Sequence, residues 1–313
     1  MKIIRYILCI FLILSFSACS REQTEDIYIL YTNDIASHIN GDNISMAGVK
    51  AYKDYLKSQN KYVVLVDAGD YYDGDLGQYD GGIHMTELMN ACEYDFVTIG
   101  NQEFSVGLDN LANNINHSNF KSVSCNIKYI GKGSNPLKSI KPYEIKRYGG
   151  VKIAFIGVTT PETLKPGKLA SAAISDESGN YIYSFYEGNE GEELYKQVQN
   201  TINKVRNKVD YVIVLSHLGE NSVEKGFSSV DLIANTTGID VLIDGHSHTI
   251  NYGTLVTDKE GKGVVLTSTG EKLQYLGELI IHKDHSFTTM LYPSVAEKDP
   301  SIVEMMTKIL SGN

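Results

Sequence analysis

Five short polar segments, each placed directly after an apolar β-rich run, constrain this chain more than any other feature of its sequence. In chain order they are TNDIASHI at 32–39, VDAGD at 66–70, IGNQEFS at 99–105, LSHLG at 215–219 and IDGHSHT at 243–249. Strand ends at one edge of an α/β sheet converge, so residues far apart in sequence are expected to meet there. Carboxylate, amide and imidazole groups are the ligands that a pair of divalent metal ions requires. The sequence therefore predicts a metal site at a sheet edge.

Apolar runs of strand type alternate with amphipathic stretches of helical type, which predicts an α/β fold. The stretches 46–58 and 192–206 carry apolar residues at helical spacing. Asp299 followed by Pro300 predicts the N-cap and first position of a final helix that runs to Leu310. No repeat stands out, and we expect one domain that contains two sheets.

The pairing of the last strands and the exposure of one long connection are also predicted. The runs 264–267, 275–282 and 287–292 are expected to form a closing antiparallel set, with a turn at 283–285. The stretch 164–190 is rich in Gly, Ser and Ala, and we expect it to be a surface excursion.

The N-terminus has the pattern of a secretory signal. Lys2 and Arg5 precede a short apolar stretch at 7–14, and small residues follow up to Cys19. A membrane-spanning helix is the alternative, but the apolar stretch is short for a bilayer. Small residues before a Cys resemble a bacterial lipobox, which implies a signal peptide at 1–18, lipid attachment at Cys19 and a polar tether through residue 26. Acyl chains anchor a protein to a membrane without spanning it.

The charge of the chain argues against one class of partner. The formal net charge is −10, and removing residues 1–18 takes away Lys2 and Arg5 but no acid, which gives −12. An acidic surface repels nucleic-acid backbones, so polymeric DNA or RNA is not an expected partner. Small phosphate esters remain candidates if metal ions supply local positive charge.

Two cysteines remain in the body of the chain. Cys92 lies in a helical pattern and Cys125 ends a predicted strand. We favour two buried free thiols over a disulfide between them.

Together the five segments resemble those of the calcineurin-like metallophosphoesterases, specifically the catalytic domain of 5′-nucleotidases and related nucleotide-sugar hydrolases. The resemblance runs from about residue 27 to residue 292 and includes GVTTPET at 157–163. It implies a four-layer α/β/β/α metallophosphoesterase sandwich over 27–294, with two metal ions at the sheet edges. Residues 295–313 would then be a helix that leads toward a C-terminal base-binding domain outside this chain. Either a separately encoded chain supplies that domain, or the substrate is recognised differently.

The resemblance also implies a metal-ligand set. Asp70 would bridge two divalent ions (Zn, Mn or similar), because a shared carboxylate offsets the repulsion between dications roughly 4 Å apart. The other implied ligands divide between the two ions: Asp34 and His248 for the first, and Asn101, His217 and His246 for the second, with Asn101 also touching the phosphate. Taken singly, each residue has a structural alternative as a turn, cap or hydrogen-bonded core residue.

Three positions depart from the family pattern. Ala36 stands where the family has a His ligand of the first metal, so that site lacks a donor. Gln102 and Ser105 replace a catalytic His–Asp dyad. Gln102 can donate a hydrogen bond but cannot carry a titrating proton, and Ser105 is expected to have nothing to orient. The loss of a positioned acid commonly costs on the order of 10²–10⁴ in rate. His38 would be a substitute ligand only if 34–38 were extended; the alternative is a solvated or cleft-lining His38.

The sequence thus supports two functions of different class. The first is a lipid-anchored extracytoplasmic metallophosphoesterase, in the periplasm or at the cell surface, that hydrolyses a phosphate monoester or nucleotide with impaired catalysis. The second is a non-catalytic pseudoenzyme that binds a metal, a phosphorylated ligand or a partner chain.

Overall fold

Two six-stranded sheets pack face to face at the centre of the molecule, and helices cover both outer surfaces. The computed structural model describes residues 23–40, 44–222 and 225–312. The signal segment and Cys19 lie outside the described residues. The strands are β1 Ile27–Thr32, β2 Tyr62–Asp67, β3 Phe96–Thr98, β4 Lys121–Val123, β5 Lys128–Tyr129, β6 Tyr143–Tyr148, β7 Val151–Thr159, β8 Tyr183–Ser184, β9 Tyr211–His217, β10 Val241–Asp244, β11 Ile250–Thr257, β12 Gly263–Thr269, β13 Leu276–Ile281 and β14 Phe287–Tyr292. The helices are α1 Met46–Ser58, α2 Gly74–Asp80, α3 Ile83–Ala91, α4 Leu108–His117, α5 Leu169–Ala173, α6 Glu192–Val205, α7 Ser229–Asn235 and α8 Pro300–Ser311.

The order of strands places five parallel strand ends on one side of the molecule. The first sheet runs β14-β13-β1-β2-β3-β4, and the second runs β11-β12-β10-β9-β7-β6. Strands β1 to β4 are mutually parallel, and so are β7, β9, β10 and β12. The segments after β1, β2, β3, β9 and β10 are the five polar segments of the sequence.

Three apolar clusters separate the four layers. Alternate residues of β1 and β2, such as Ile29 and Val64, pack between the sheets against Phe155 and Ile213 of the second sheet. The residues between them in sequence point the other way, because side chains alternate along a strand. They pack under α1, α3, α4 and α8. The outward-facing residues of the second sheet, such as Ile156 and Val214, pack under α6 and α7. The implied α/β/β/α sandwich is therefore the observed architecture.

Several elements follow directly from local sequence. α1 has the predicted bounds, and its N-cap Ser45 accepts the N–H of Gly48. Asp299 caps α8 as predicted and accepts the N–H groups of Ser301 and Ile302. The predicted free thiols Cys92 and Cys125 are both buried and unpaired. Among the described residues, no helix combines the length and apolar character needed to cross a bilayer.

The predicted closing antiparallel set is confirmed for its last two strands and wrong for the first. β13 and β14 pair antiparallel in the first sheet, but β12 belongs to the second sheet, where it lies parallel to β10 and antiparallel to β11. An apolar run shows that a segment is a buried strand but not which of two sheets accepts it, because pairing is decided by tertiary contacts. The sequence interpretation also missed β11, α2 and α7.

The segment 164–190 is not a simple surface excursion. Ile174, Tyr183 and Phe185 are fully buried, and they pack in the cluster beneath α3 and α4. Phe185 meets Phe104 edge to face with ring centroids 5.8 Å apart. The segment is therefore fixed against the loop that follows β3, and this contact positions one wall of the site described below.

Candidate metal centre

Side chains at the ends of two strands of each sheet meet at the edge formed by the carboxyl ends of the strands. Asp70, His217 and His246 each offer one ligand atom, and these atoms all lie within 4.8 Å of one another. Asp70 lies beyond β2, His217 ends β9 and His246 follows β10. Asn101 follows β3 and lines the same cavity as His246. The residues that the resemblance assigns to the second metal therefore lie close together at this edge, as predicted.

The candidate ligands adopt unusual backbone conformations. Asp34, Asp70, His246 and His248 have φ values of 49°, 59°, 78° and 54°, in the left-handed region. Such conformations cost on the order of 1–3 kcal/mol each for residues other than glycine and cluster at functional sites. The chain turns sharply at each strand end, which aims these side chains into a common space.

Two glycines make room for this convergence. A Cβ atom on Gly69, which has φ +94°, would lie 2.7 Å from Nδ1 of His217. A Cβ atom on Gly245 would lie 2.8 Å from the same nitrogen and 3.0 Å from Oδ2 of Asp34. Any larger residue at either position would displace His217.

His217 is oriented as a metal ligand. Its ring is fully buried, and Nδ1 lies 2.7 Å from the carbonyl oxygen of Ala68. A carbonyl only accepts, so Nδ1 carries a proton, and Nε2 is the nitrogen that faces the metal centre. Nε2 lies 3.0 Å from Oδ2 of Asp70 and 3.9 Å from Oδ1 of Asp34. Burial opposes a charged ring, but these two carboxylates raise the pKa of His217 to about 10.

Asp34 lies at the first-metal side of the centre. Its carboxylate accepts the backbone N–H of His246 at 2.9 and 3.1 Å and the Asn33 amide at 2.7 Å. Burial raises the pKa of Asp34 to about 7. Nε2 of His248 is 3.6 Å from Oδ1 of Asp34, and Nδ1 of the same ring is 3.4 Å from Glu271. His248 is half exposed, so the first-metal side is more open than the second.

The donor set fits a divalent ion. Oδ1 of Asn101 is buried and, among the described residues, lacks a hydrogen-bond partner, and buried Nε2 of His217 makes no well-aligned hydrogen bond although Oδ2 of Asp70 lies 3.0 Å away. Buried polar atoms are normally paired, so two such atoms beside a carboxylate suit a cation. Carboxylate, amide and imidazole donors are ligand types that divalent metal ions accept.

Glu103 is a functional residue that the sequence interpretation missed. It is fully buried, and its two oxygens accept the backbone N–H groups of Asp70, Tyr71, Tyr72 and Gly100 at 2.7 to 3.2 Å. It therefore fixes the loop that carries Asp70. The only sequence signal was its place in IGNQEFS, one residue after Gln102.

Glu162 was also missed, although GVTTPET was part of the family resemblance. Its Oε2 lies 3.5 Å from Nε2 of His246 and 3.4 Å from Nζ of Lys165. The bond to His246 lowers the pKa of Glu162 to about 2. A carboxylate next to a ligating imidazole orients the ring and raises its basicity.

The loop 34–38 is not extended. Ala36 and Ser37 have φ values of 51° and 52°, and they form a turn in which the His38 N–H donates to the Ile35 carbonyl. His38 is exposed. The alternation that would have brought His38 to the metal side therefore does not exist, and the proposed rescue of the Ala36 gap by His38 has no structural basis.

The prediction that Ser105 has nothing to orient is wrong. Its hydroxyl donates to Oε1 of Gln102 at 2.7 Å, and the Gln102 backbone N–H donates to Oδ1 of Asp70 at 2.8 Å. Because Oε1 is held by Ser105, the amide NH₂ of Gln102 is free for the cavity that both residues line. Gln102 and Ser105 therefore form a neutral hydrogen-bonded pair at the wall of the cavity.

The cavity beside the centre has a volume of about 410 Å³. Asn101, Gln102 and His246 line it on the metal side. The segment 164–190, which was predicted to be a surface excursion, supplies Lys165 and Lys168. The volume of the cavity suits a small ligand rather than a polymer.

Solved structures share this architecture. A 5′-nucleotidase precursor from Thermus thermophilus matches with a TM-score of 0.76 and 23% identity, over 92% of this chain and 59% of that chain. The calcineurin-like phosphoesterase YfkN from Bacillus subtilis matches with a TM-score of 0.72 and 22% identity, over 92% of this chain and 97% of that one. The chain therefore has the fold of the calcineurin-like phosphoesterases.

Sequence comparison places the chain within a family. The model of the family described as bacterial capsule synthesis protein PGA_cap matches residues 56–273, and the chain belongs to this family. The snake venom 5′-nucleotidase of Crotalus adamanteus is 29% identical over 322 residues, which cover 92% of this chain and 50% of that protein. The chain spans about half the length of the curated 5′-nucleotidases that it matches.

Proposed function

We propose that this protein is a metal-dependent phosphoric ester hydrolase that acts on a phosphate monoester or nucleotide, with slower catalysis than a complete family site. The observation that carries the proposal is the cluster of Asp70, His217 and His246, whose ligand atoms lie within 4.8 Å of one another beside a ligand-sized cavity. The names of the relatives, which are 5′-nucleotidases and a nucleotide phosphoesterase, support the substrate class.

The residues of this chain have three proposed roles: metal binding, hydrogen-bond donation to the phosphate, and positioning of the donor. Those that would hold the metal ions are Asp34, Asp70, Asn101, His217, His246 and His248. When bound, the ions supply positive charge for the phosphoryl oxygens and lower the pKa of water. Gln102 donates an amide N–H toward the phosphate without moving a proton, because an amide does not titrate. Ser105 holds that amide in place.

We also propose where the protein works. The N-terminal pattern and the Cys19 lipobox support an extracytoplasmic lipoprotein, anchored to a membrane through acyl chains. A separately encoded base-binding domain is a proposed partner. Polymeric nucleic acid is not a proposed substrate of this acidic chain.

The test uses the purified full chain in detergent, with metal content and phosphatase activity measured on the same sample. p-Nitrophenyl phosphate and AMP are offered with Mn²⁺, Zn²⁺ or Co²⁺. We expect slow turnover that Asp70→Ala abolishes together with metal binding. The exposed Asp109→Ala is the matched control and keeps both properties. Absence of turnover with all three metals would refute the proposed hydrolase function.

The alternative is a non-catalytic binding protein. The gap at Ala36 favours it, since the first-metal side retains only Asp34, the half-exposed His248 and the shared Asp70. This alternative predicts one bound ion, affinity for a phosphorylated ligand or partner chain, and no turnover. Activity that appears only in the triple variant Ala36→His, Gln102→His, Ser105→Asp would support it.

A further inference from the structure

The segment from Lys121 to Lys152 differs in charge from the rest of the chain. It carries eight Lys and Arg residues and a single acid, Glu144, which gives +7, whereas the whole chain carries −10. The segment contains β4, β5, β6 and the start of β7. Its sign is opposite to that of the chain as a whole, so this region attracts anions that the remaining surface repels.

Five of these cations lie at the amino ends of the strands, on the side of the molecule where β4 and β6 form the edges of the two sheets. They are Lys121, Lys141, Lys146, Arg147 and Lys152, and we name them the basic flank. Lys121 begins β4, and the backbone of Lys141 is hydrogen-bonded to residues 122 and 124 beside it. Arg147 and Lys152 are cross-strand neighbours in the hairpin of β6 and β7. The flank therefore follows one continuous rim of the sandwich.

Most of the charge of the basic flank is not neutralised within the protein. Asp95 pairs with Lys146, with Nζ and Oδ1 2.8 Å apart. Among the described residues, no carboxylate lies within ion-pair distance of the other four cations. Asp210 accepts the backbone N–H of Lys152 at 2.6 Å, not its amine. Ile145 is 37% exposed beside Lys146 on β6, so the rim also presents an apolar side chain. Cations mixed with exposed apolar groups suit the surface of an anionic membrane.

The N-terminal tether meets the basic flank. The N–H and the hydroxyl of Thr24 both donate to the carbonyl of Gly149, at 3.2 and 3.3 Å, in the turn that joins β6 to β7. This turn directly follows Arg147 and Tyr148 and precedes Lys152 in the sequence. Cys19 is four residues from Gln23, a separation that a chain spans over at most about 14 Å. A lipid on Cys19 therefore brings the membrane surface close to the flank.

We propose that the basic flank binds anionic lipid headgroups, such as phosphatidylglycerol, on the membrane to which Cys19 anchors the chain. The inference rests on the lipid anchor proposed for Cys19 and not on the hydrolase activity. A nucleic acid carries the same sign of charge, but the position of the tether favours the lipid surface. The metal centre lies at the opposite ends of the strands, and β7 alone, with nine residues, is about 30 Å long. Binding through the flank therefore orients the protein and leaves the cavity open.

The experiment measures initial rates of lysine acetylation by a membrane-impermeant reagent, followed by mass spectrometry of peptides. The full chain is reconstituted into vesicles of phosphatidylcholine alone or of phosphatidylcholine mixed with phosphatidylglycerol. We expect the rates at Lys121, Lys141 and Lys152 to fall at least about threefold on the anionic vesicles. High salt should restore these rates, because it screens exposed charges.

Other lysines of the same molecule are the internal control. Lys196, Lys204 and Lys259 are exposed and lie outside the basic flank, and their rates should be equal on the two kinds of vesicle. Equal rates at the flank lysines on both kinds of vesicle would overturn the inference.

A matched pair of variants tests the role of charge. Arg147→Gln, Lys152→Gln removes two cations of the flank and should abolish most of the protection of Lys121 and Lys141. Lys196→Gln, Lys259→Gln removes the same charge elsewhere and should keep that protection. Protection that survives the loss of Arg147 and Lys152 unchanged would also contradict binding through the flank.

The mass of the N-terminal peptide tests the anchor separately. If Cys19 carries lipid but the flank lysines are not protected, the anchor stands and this inference fails. If Cys19 is unmodified, the anchor proposal fails; protection on anionic vesicles then still supports the lipid-binding flank, and its absence overturns it. Binding of a DNA duplex without protection by vesicles would assign the flank to nucleic acid and overturn the inference.

Discussion

The carboxylate of Glu103 accepts the backbone N–H of Asp70 at 2.9 Å, so one buried acid fixes the peptide that carries another. The same carboxylate accepts the N–H groups of Tyr71 at 2.7 Å and Gly100 at 2.7 Å. These bonds tie the end of β2 to the end of β3. They also offset the strain of the left-handed conformation at Asp70, whose φ is 59°. Glu103 is thus a positioning residue for the proposed bridging ligand.

Replacing this acid by its amide should loosen the centre. In Glu103→Gln, an NH₂ donor faces backbone N–H donors, and at least one buried group loses its partner. We expect the free energy of unfolding to fall by about 1–3 kcal/mol. Mn²⁺ affinity should fall by about 10- to 100-fold, as for other residues that support a metal ligand. Denaturant titration and calorimetry measure the two effects.

The exposed Glu297→Gln makes the same chemical change away from the site and should alter neither quantity. A variant Glu103→Gln that keeps full Mn²⁺ affinity would show that the Asp70 loop does not depend on this carboxylate.

The strand ends were predictable because each motif joins an apolar β run to a polar turn. His217 illustrates this: the run that precedes it is buried on both faces, and the His appears where the run stops. Glu103 could not be found in this way. Its partners are backbone groups, and their positions depend on loop conformations that no local pattern records.

The sheet assignment of β12 failed for a related reason. Its apolar run fits either sheet, and only the packing of β10 and β11 around it decides between them. The burial of Tyr183 and Phe185 was missed because their segment is rich in small residues, although these two aromatics pack in the core. Composition described that segment on average, whereas the packing depends on a few large side chains.

Restoring a ligand at position 36 should strengthen the first-metal site. Ala36 already has φ 51°, so a His there adds no new backbone strain beyond that of alanine. We expect Ala36→His to raise the affinity for a second Mn²⁺ by about tenfold or more. Equilibrium dialysis followed by metal analysis measures this. Ala36→Leu adds bulk without a donor and serves as the control; the prediction fails if both variants bind the same number of ions.

Restoring the dyad should favour substrates with poor leaving groups. The double variant Gln102→His, Ser105→Asp returns a titrating imidazole and the carboxylate that orients it. We expect kcat/KM for AMP to rise on the order of 10²–10⁴. The gain for p-nitrophenyl phosphate should be smaller, because its leaving phenolate needs no proton. Steady-state kinetics on both substrates test this, with Gln102→Asn as a variant that keeps an amide. An equal gain on both substrates would contradict the role assigned to the pair.

Metal binding should release protons at neutral pH. The raised pKa values, about 10 for His217 and about 7 for Asp34, mean that the metal-free centre holds protons that a divalent ion must displace. A raised folded-state pKa stabilises the protein below the unfolded value and loses that contribution as pH rises through the folded value. The metal-free protein should therefore melt at lower temperature as pH rises, because of Asp34 between about 4 and about 7 and because of His217 between about 6.5 and about 10. Mn²⁺ affinity should increase over the same range.

Calorimetry of Mn²⁺ binding in two buffers of different ionisation enthalpy counts the protons. We expect at least about one proton released at pH 7, and fewer as the pH rises. His217→Gln removes the group with the higher pKa and should reduce the count by about one. The exposed His117→Gln should leave the count unchanged. Identical apparent enthalpies in the two buffers would mean that the buried pair of His217 and Asp70 holds no proton without metal, which would contradict the charge balance that the structure places at this sheet edge.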